Sequence, residues 1–312
     1  MPNPYAIVVC CTQNWLPLAA CTLLSCFQQG ADAQSDLFVV TINADAEDKA
    51  KITAFLAQHG ANVHVIDAVF PDLLQSLVSA NSWGVGAMAR MALTSFLPPH
   101  YRRVLYLDSD ILALTSITPL LEAKLNGKML GAVEDYHSMP WSLQHWHDHP
   151  RKIGLPRGAR YFNSGMMLFD WQQLLKNDLL QQSTALWYAK LQAGIHFSYP
   201  DQDALNLGFQ GNWQPLPVAM NAASVMVDYF PEKPILRHFS AHYRPWAHWW
   251  MPGAARHKQL YRALLKDSPW PEFEIKDFTT LDVKEIAGVL LRKLDVMTRA
   301  RYRLHVKSGL QP

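Results

Sequence analysis

The stretch Val104-Leu-Tyr-Leu-Asp-Ser-Asp110 joins a short apolar run to two carboxylates separated by one residue. An apolar run of this length predicts a buried strand, and side chains two positions apart point to the same side of a strand. As the chain leaves the sheet, Asp108 and Asp110 can therefore converge on one point. Two hard oxygen ligands suit Mn²⁺ or Mg²⁺, and either cation bridges readily to phosphate. The alternative is that one Asp caps a following helix and the other is solvated.

Apolar runs and amphipathic segments alternate on both sides of that strand. Their alternation predicts an α/β fold with a single, mostly parallel central sheet and helices on both faces. Such sheets bind ligands at the carboxyl ends of their strands, which is where Asp108 follows. Strands are predicted at 5–11, 37–42, 63–66, 104–107, 129–133, 162–169 and 235–238, and helices at 16–29, 45–59, 85–97, directly after 170, 178–193 and 201–209.

The first loop, Thr12-Gln13-Asn14-Trp15, lacks the glycine-rich sequences of nucleotide-binding turns. A Rossmann dinucleotide site and a P-loop are therefore disfavoured. If nucleotide phosphates bind to this chain, a metal and basic side chains must hold them.

Composition narrows the class of protein. Of the 312 residues, 49% are hydrophobic and 17% charged, and the formal net charge is +2, so we expect a large core and no general nucleic-acid binding. All four cysteines lie within residues 10–26 at no zinc spacing, which predicts buried thiols in a reducing compartment. We recognise no signal peptide and no membrane-spanning run, so the predicted location is the cytoplasm.

Residues 136–160 are rich in His, Trp and Pro, and we expect an irregular lid or binding loop there. His145, His147 and His149 alternate along it, but no Cys or acidic residue lies at ligand spacing, so a polar, partly exposed loop is favoured over a metal cluster. Flat aromatic faces suited to sugar rings are available nearby and later in the chain, although Trp is more often part of a core. These side chains are Trp141, Trp146, Trp246, Trp249 and Trp250.

Four segments in order and at matching spacing resemble glycosyltransferase family 8, in outline its bacterial lipopolysaccharide galactosyl- and glucosyltransferases. Besides the opening stretch they are Tyr161-Phe-Asn-Ser-Gly165, Asp201-Gln-Asp-Ala-Leu-Asn206 and His238-Phe-Ser-Ala-His-Tyr-Arg-Pro-Trp246. The resemblance implies a GT-A fold and retaining transfer of galactose or glucose from a UDP-sugar to a saccharide or lipid-linked saccharide acceptor. It also implies synthesis of lipopolysaccharide or another surface glycan, and a divalent cation, Mn²⁺ with Mg²⁺ as the alternative.

The resemblance further implies roles for individual residues. Asp108, Asp110 and His238 would bind the metal, although from its position alone His238 would be an ordinary strand-end histidine. Gln202 would lie at the β face of the anomeric carbon, with Asp135 and Asp201 as the other catalytic candidates. The implied donor-binding residues are Asn14, Trp15, Arg90, Asp108, Ser109, Asn163, Ala241 and Arg244.

The chain departs from the family pattern at three positions. Thr12-Gln13 replaces an Asp that reads the uracil edge, Ala241 replaces a Gly at the diphosphate, and Arg244 replaces a Lys. An amide can still read a uracil edge, so UDP remains the expected nucleotide.

The residue expected behind the anomeric carbon, Gln202, is a poor nucleophile, which favours same-face attack over double displacement. The alternatives are an inverting transferase with Asp203 or Asp170 as its base, a UDP-sugar hydrolase, and a carbohydrate-binding protein without activity.

We expect a catalytic domain over 1–270 and a basic amphipathic tail over 271–312. Residues 284–312 carry seven basic side chains against two acidic ones, with apolar residues at helical spacing. Such a helix suits an anionic membrane surface, which predicts peripheral association with the inner face of the cell membrane. The alternative is a helix packed on the body with a disordered basic end.

Overall fold

A computed structural model describes residues 2–31, 34–79, 84–135, 149–223, 234–240, 244–246 and 254–275, together with 287, 290 and 291. The strands in these ranges are β1 Tyr5–Thr12, β2 Ser35–Ile42, β3 Val63–Asp67, β4 Arg103–Leu107, β5 Ile111–Ala113, β6 Leu130–Glu134, β7 Phe162–Asp170, β8 Trp213–Pro215, β9 Ala222–Ala223 and β10 Leu236–His238. The α-helices are α1 Leu16–Cys26, α2 Ala46–Gln58, α3 Asp72–Ser79, α4 Val85–Met88, α5 Thr118–Leu121, α6 His149–Ile153, α7 Trp171–Asn177, α8 Leu179–Gln192, α9 Pro200–Gly208 and α10 Ala254–Leu264.

The central sheet has seven strands in the order β3-β2-β1-β4-β7-β6-β8. Strands β3, β2, β1 and β4 are parallel, whereas β7 runs antiparallel to both of its neighbours, β4 and β6. The prediction of an α/β fold with a mostly parallel central sheet is therefore confirmed. The reversed strand β7 was not predicted.

Strand β1 explains why its sequence is apolar without alternation. Ile7 and Val9 belong to the core on one face of the sheet, and Ala6 and Val8 belong to the core on the other face. A strand that lies inside a parallel sheet with both faces covered has no solvent side, so each position favours an apolar residue.

A second, three-stranded sheet has the order β5-β10-β9 and was also not predicted. Strand β5 begins directly after Asp110 and pairs antiparallel with β10, with Ile111 opposite His238. The backbone N–H of Phe239 donates to the carbonyl of Asp110 (2.9 Å), which extends this ladder by one bond. The pairing therefore fixes Asp110 beside the end of β10.

Several helices match the sequence predictions and others differ. Helix α2 begins as predicted, because the Asp45 carboxylate accepts from the backbone N–H of Asp48 (2.8 Å) and caps the helix. The helix predicted over 85–97 is instead the short helix α4 followed by a 3₁₀ segment, Ala89–Ser95. Within 136–160 the described part includes helix α6 rather than only irregular loop, and helix α10 was not predicted.

All four cysteines are buried and free, as predicted. Among the described residues, no helix is both long and apolar enough to cross a membrane. Most of the 271–312 tail lies outside these residues, so the domain boundary at 270 and the membrane association remain predictions.

Candidate active site

Asp108, Asp110 and His238 meet where the two sheets join. Strand β4 ends at Leu107, and the backbone N–H of Asp108 donates to the carbonyl of Gly165 in β7 (2.8 Å). Asp110 is held by the ladder between β5 and β10, and His238 is the last residue of β10. Backbone pairing thus brings together two residues from 108–110 and one that lies more than a hundred positions later.

The three side chains are arranged as metal ligands. Nε2 of His238 lies 3.2 Å from Oδ1 of Asp110 and 3.9 Å from Oδ2 of Asp108. One ligand atom from each residue lies within 4.8 Å of the other two. Oδ1 of Asp110 is buried and, apart from the nearby imidazole, has no hydrogen-bond partner among the described residues, which leaves a desolvated carboxylate oxygen that a cation would satisfy.

Gly165 keeps this space open. A Cβ at that position would overlap Cε1 of His238 and would lie 2.9 Å from Oδ2 of Asp108. The donor set of two carboxylates and one imidazole suits a divalent cation. The orphaned oxygen, the ligand spacing and the glycine together show that these residues fit such an ion.

Electrostatics couples the imidazole to the carboxylates. Burial opposes protonation of His238, but the charges of Asp110 and Asp108 outweigh it and raise the pKa of the imidazole above its usual value. Burial would raise the pKa of Asp110, but the neighbouring charges of His238, Arg244 and Arg90 lower it. The two shifts both favour the pair of a protonated His238 and an ionised Asp110 when no cation is bound.

Arg90 is the centre of a buried ion cluster. Its NH2 group lies 2.7 Å from Oδ1 of Asp108, and its Nε lies 3.3 Å from Oδ2 of Asp201. Nε also donates to the Ala87 carbonyl, and NH1 donates to both the carbonyl and the hydroxyl of Ser164. These contacts hold the guanidinium in one orientation between Asp108 and Asp201.

Four of the predicted site residues form what we call the amide cluster: Asp135, Asn163, Asp201 and Gln202. Pro200 begins α9 and places Asp201 and Gln202 in its first turn, facing β7. Oε1 of Gln202 accepts from the backbone N–H of Ser164 (2.9 Å), and its Nε2 donates to Oδ2 of Asp135 (3.3 Å). Asn163 Nδ2 donates to the same Asp135 oxygen (3.1 Å), so the two amides share one carboxylate.

A cavity of about 210 Å³ opens beside Asp108 and Asp110 at the carboxyl end of β1. Its walls include Thr12, Trp15, Gly86, Arg90 and Ser109. Gly86 allows α4 to approach β1 closely, since a Cβ there would lie 3.3 Å from the backbone nitrogen of Thr12.

The remaining predicted donor-binding residues take different positions. The guanidinium of Arg244 lies over the ring of Trp15, 5.3 Å from its centroid. In the first loop Trp15 lines the cavity, whereas Asn14 is exposed and is not among the residues that line it. Ala241 lies outside the described residues.

The residues proposed as bases for an inverting reaction are placed unsuitably for that role. Asp203 is fully buried and accepts from the Tyr161 hydroxyl and the Tyr199 backbone N–H, and Nε2 of His149 lies 2.7 Å from it. Asp170 pairs with Arg103, at the end of β4 opposite to the site. His149 is thus part of a buried cluster and not of a polar loop, whereas His145 and His147 lie outside the described residues.

Sequence reasoning missed three side chains at the site. Tyr106 donates to Oδ1 of Asp108 (2.7 Å). The Ser164 hydroxyl accepts from Arg90 and donates to Oε1 of Gln202, and Asn221 bonds both His238 and Asn163. Tyr106 and Ser164 lie inside the segments that carried the resemblance, so their neighbours could have drawn attention to them. Asn221 lies outside all four segments and had no such signal.

Comparison with known proteins agrees with this architecture. The family model described as "Glycosyl transferase family 8" matches residues 6–250. A galactosyltransferase, LgtC, whose structure was solved with donor and acceptor sugar analogs, superposes with a TM-score of 0.68 at 22% identity and covers 91% of this chain and 99% of its own. The GT-A fold expected from the resemblance is therefore confirmed.

Two curated relatives illustrate the range of the similarity. Lipopolysaccharide 1,2-glucosyltransferase of Escherichia coli K12 is 24% identical over 251 residues, which is 77% of this chain and 70% of the relative. Galactinol synthase 1 of Solanum lycopersicum is 26% identical over 262 residues, which is 79% of this chain and 74% of the relative. The family model covers well over half of this chain, so the chain belongs to glycosyl transferase family 8 and is a glycosyltransferase.

Proposed function

We propose that this glycosyltransferase moves a hexose from a UDP-sugar to a saccharide acceptor with retention at the anomeric carbon. The observation that carries the proposal is the convergence of Asp108, Asp110 and His238 on one point, joined through Arg90 to the amide cluster. The metal-binding residues suit the diphosphate of a nucleotide-sugar through a bound cation, and the neighbouring amide cluster suits the hydroxyl groups of the sugar.

Asp108, Asp110 and His238 would hold a divalent cation, for which Mn²⁺ is the first candidate and Mg²⁺ the second. When bound, such a cation acts as a Lewis acid towards a departing diphosphate. Arg244 adds positive charge close to Asp110, and its charge lowers the pKa of that carboxyl group. A cationic side chain fixed in place before the reaction stabilises the charge that develops on the leaving group.

The amide cluster would bind the sugar. Asp135, Asn163 and Gln202 present carboxylate and amide groups suited to hydroxyls, and their mutual hydrogen bonds hold them in one arrangement. Arg90 holds Asp201 on one side and Asp108 on the other, so the sugar-binding and metal-binding residues keep a fixed separation. Trp15 and Ser109, which line the cavity beside Asp108, would contact the nucleoside diphosphate.

Retention by same-face attack agrees with the side chains at this site. Asp201, the carboxylate next to Gln202, is committed to Arg90 and Ser164, and Gln202 itself is a weak nucleophile. In the proposed reaction the leaving phosphate oxygen takes the acceptor proton, and the Gln202 carbonyl stabilises the cationic sugar.

Among the relatives, one is named for glucosyl transfer to lipopolysaccharide and another for galactinol synthesis, which differ in product. We propose glucose or galactose as the transferred sugar, and lipopolysaccharide or another surface glycan as the destination. The basic tail over 271–312 would then bring the enzyme to a lipid-linked acceptor at the inner membrane surface.

The test compares Gln202→Ala with Gln182→Ala, a control on the exposed face of α8. UDP-glucose and UDP-galactose are supplied with Mn²⁺, and products are analysed with and without azide. We expect Gln202→Ala to lose rate and keep the product anomer, and Gln182→Ala to match the wild type. Near-complete loss of activity that azide restores as a β-azido sugar would contradict same-face attack, and absence of Mn²⁺-dependent UDP release from the wild type would contradict transferase activity.

A further inference from the structure

Asn221 connects the metal-binding residues to the amide cluster. It is 4% exposed and lies immediately before β9, the strand that pairs with β10. Its Oδ1 lies 3.1 Å from Nδ1 of His238, and its Nδ2 lies 2.9 Å from Oδ1 of Asn163. Asn221 therefore touches the nitrogen of His238 that faces away from Asp108 and Asp110.

The orientation of each amide in this chain is determined by its neighbour. Oδ2 of Asp135 can only accept when the carboxyl group is ionised, so the Asn163 atom 3.1 Å away is the donor Nδ2. The other end of Asn163 faces the backbone N–H of Gly165 (3.1 Å), which can only donate, so that end is Oδ1. Two independent partners thus fix the orientation of Asn163.

The orientation of Asn221 follows from that of Asn163. Oδ1 of Asn163 accepts, so the Asn221 atom that faces it is the donor Nδ2, and the opposite atom, Oδ1, faces His238. The reversed amide would place two oxygens together at Asn163 and would turn a donor instead of an acceptor towards Nδ1 of His238. Nδ1 of His238 must therefore carry the proton.

A neutral imidazole protonated on Nδ1 has its lone pair on Nε2, which is the nitrogen 3.2 Å from Asp110. The carboxylates alone would favour the opposite tautomer, because a proton on Nε2 could be shared with the orphaned Oδ1 of Asp110. That tautomer cannot bind a metal through Nε2. The acceptor supplied by Asn221 opposes it.

We propose that Asn221 is a positioning residue that holds His238 in the tautomer able to bind the metal. The inference rests on the proposed metal site and adds the residue that prepares it. Partners of this kind behind a ligating histidine typically change metal affinity about 10- to 100-fold when they are removed.

The first measurement needs no metal and no activity. Long-range ¹H–¹⁵N spectra of the metal-free protein at alkaline pH report which nitrogen of each neutral histidine carries the proton. The spectrum of a His238→Gln variant identifies the His238 signal among the 13 histidines. We expect the Nδ1–H tautomer in the wild type, and the Nε2–H tautomer would overturn the inference.

The second measurement is Mn²⁺ affinity by calorimetry. Asn221→Leu, which removes the acceptor, is expected to bind Mn²⁺ about 10- to 100-fold more weakly. Asn221→Asp keeps an acceptor for Nδ1 of His238 but loses the bond to Oδ1 of Asn163, so it should bind Mn²⁺ more tightly than Asn221→Leu. Asn206→Ala removes a buried asparagine that bonds the backbone of Phe162, so it controls for general destabilisation and should keep wild-type affinity.

Wild-type affinity in Asn221→Leu, or a loss in Asn221→Asp or Asn206→Ala equal to that of Asn221→Leu, would overturn the role of Asn221 and leave the metal site intact. Failure of the wild type to bind Mn²⁺ would overturn the metal site itself, and the inference with it.

Discussion

Gly165 and His238 approach each other so closely that no side chain fits between them. A Cβ at position 165 would overlap the His238 ring and crowd Oδ2 of Asp108. The glycine in Phe-Asn-Ser-Gly165 is therefore required by the metal-binding residues, which lie between β4 and β5 and at the end of β10, and not by its own strand. The short motif and the late histidine depend on each other across the site.

Gly165→Ala tests this dependence. The methyl group must displace the imidazole or the carboxylate, so we expect Mn²⁺ affinity, measured by calorimetry, to fall about 10-fold or more, and a stability cost of about 1–3 kcal/mol. Gly131→Ala is the matched control, because the atoms nearest to its Cβ would be in the side chains of Leu125 and Leu216, away from the metal-binding residues. It should lose stability and keep Mn²⁺ affinity. A Gly165→Ala protein that binds Mn²⁺ like the wild type would show that the ring moves without consequence.

The pair of His238 and Asp110 predicts how stability depends on pH in the metal-free protein. The pKa of His238 is raised in the folded protein. Its contribution to the free energy of unfolding is therefore complete below the unfolded-state pKa of about 6.5 and is lost as pH rises through the higher folded-state pKa. The pKa of Asp110 is lowered in the folded protein. Its contribution to the free energy of unfolding is therefore present above the unfolded-state pKa of about 3.9 and is lost as pH falls through the lower folded-state pKa. Thermal unfolding across this range should show a fall on the alkaline side that His238→Gln abolishes.

The stabilisation by bound Mn²⁺ should depend on pH in the opposite direction. A proton on His238 competes with the cation, so the rise in unfolding temperature caused by Mn²⁺ should grow as pH increases through the His238 pKa. A Mn²⁺ effect that is equal at acidic and neutral pH would mean that His238 is not a ligand.

Arg244 is predicted to depend on Trp15. Its guanidinium lies over the indole ring, 5.3 Å from the centroid. A planar guanidinium can stack on an aromatic ring, and the compact ammonium group of Lys does not reproduce that contact. We expect Arg244→Lys to lower kcat/KM for the UDP-sugar about three- to tenfold, the size of one cation–π contact. Trp15→Leu should cost less in the Arg244→Lys background than in the wild type, because both changes remove the same contact.

The control for Arg244 is Arg102→Lys. Arg102 lies 5.0 Å over the ring of Tyr5, at the opposite end of β1 from the cavity, so this variant should keep wild-type kcat/KM. Fully additive losses for Trp15→Leu and Arg244→Lys would show that the two side chains act separately.

Arg90 is predicted to be required for the structure of the site as well as for binding of the donor. Removing it leaves Asp108 and Asp201 close together without their shared counter-charge. Arg90→Met should lower the free energy of unfolding by about 3–5 kcal/mol. Arg103→Met breaks a more exposed pair with Asp170 and should cost about 1 kcal/mol or less by chemical denaturation. Equal costs would contradict the buried ion cluster.

Much of the fold could be predicted from local sequence. The apolar runs in β1, β2 and β4 identify buried strands because both faces of each strand are covered, so apolar residues are favoured at nearly every position. The same pattern contains no information on direction, so the reversal of β7 was missed. Strands β5 and β9 have only three and two residues and are defined by pairing with β10, which no local window reveals.

The site divides in the same way. Asp108 and Asp110 could be proposed from the apolar strand that precedes them, and His238 because it lies in a segment that resembles a family. Asn221 could not, since an asparagine between Met220 and Ala222 acquires its role only when β9 pairs with β10 and brings it against His238. His149 was misjudged for the same reason, because its partner Asp203 lies 54 positions away.

The most direct test of the central claim is the anomeric configuration of the product. The purified protein is given Mn²⁺, an α-linked UDP-hexose and a saccharide acceptor, and the new linkage is followed by ¹H NMR from the earliest time points. We predict an α-linked product that forms only with the divalent cation. A β-linked product would contradict retention, and free hexose in place of a linked product would contradict transfer.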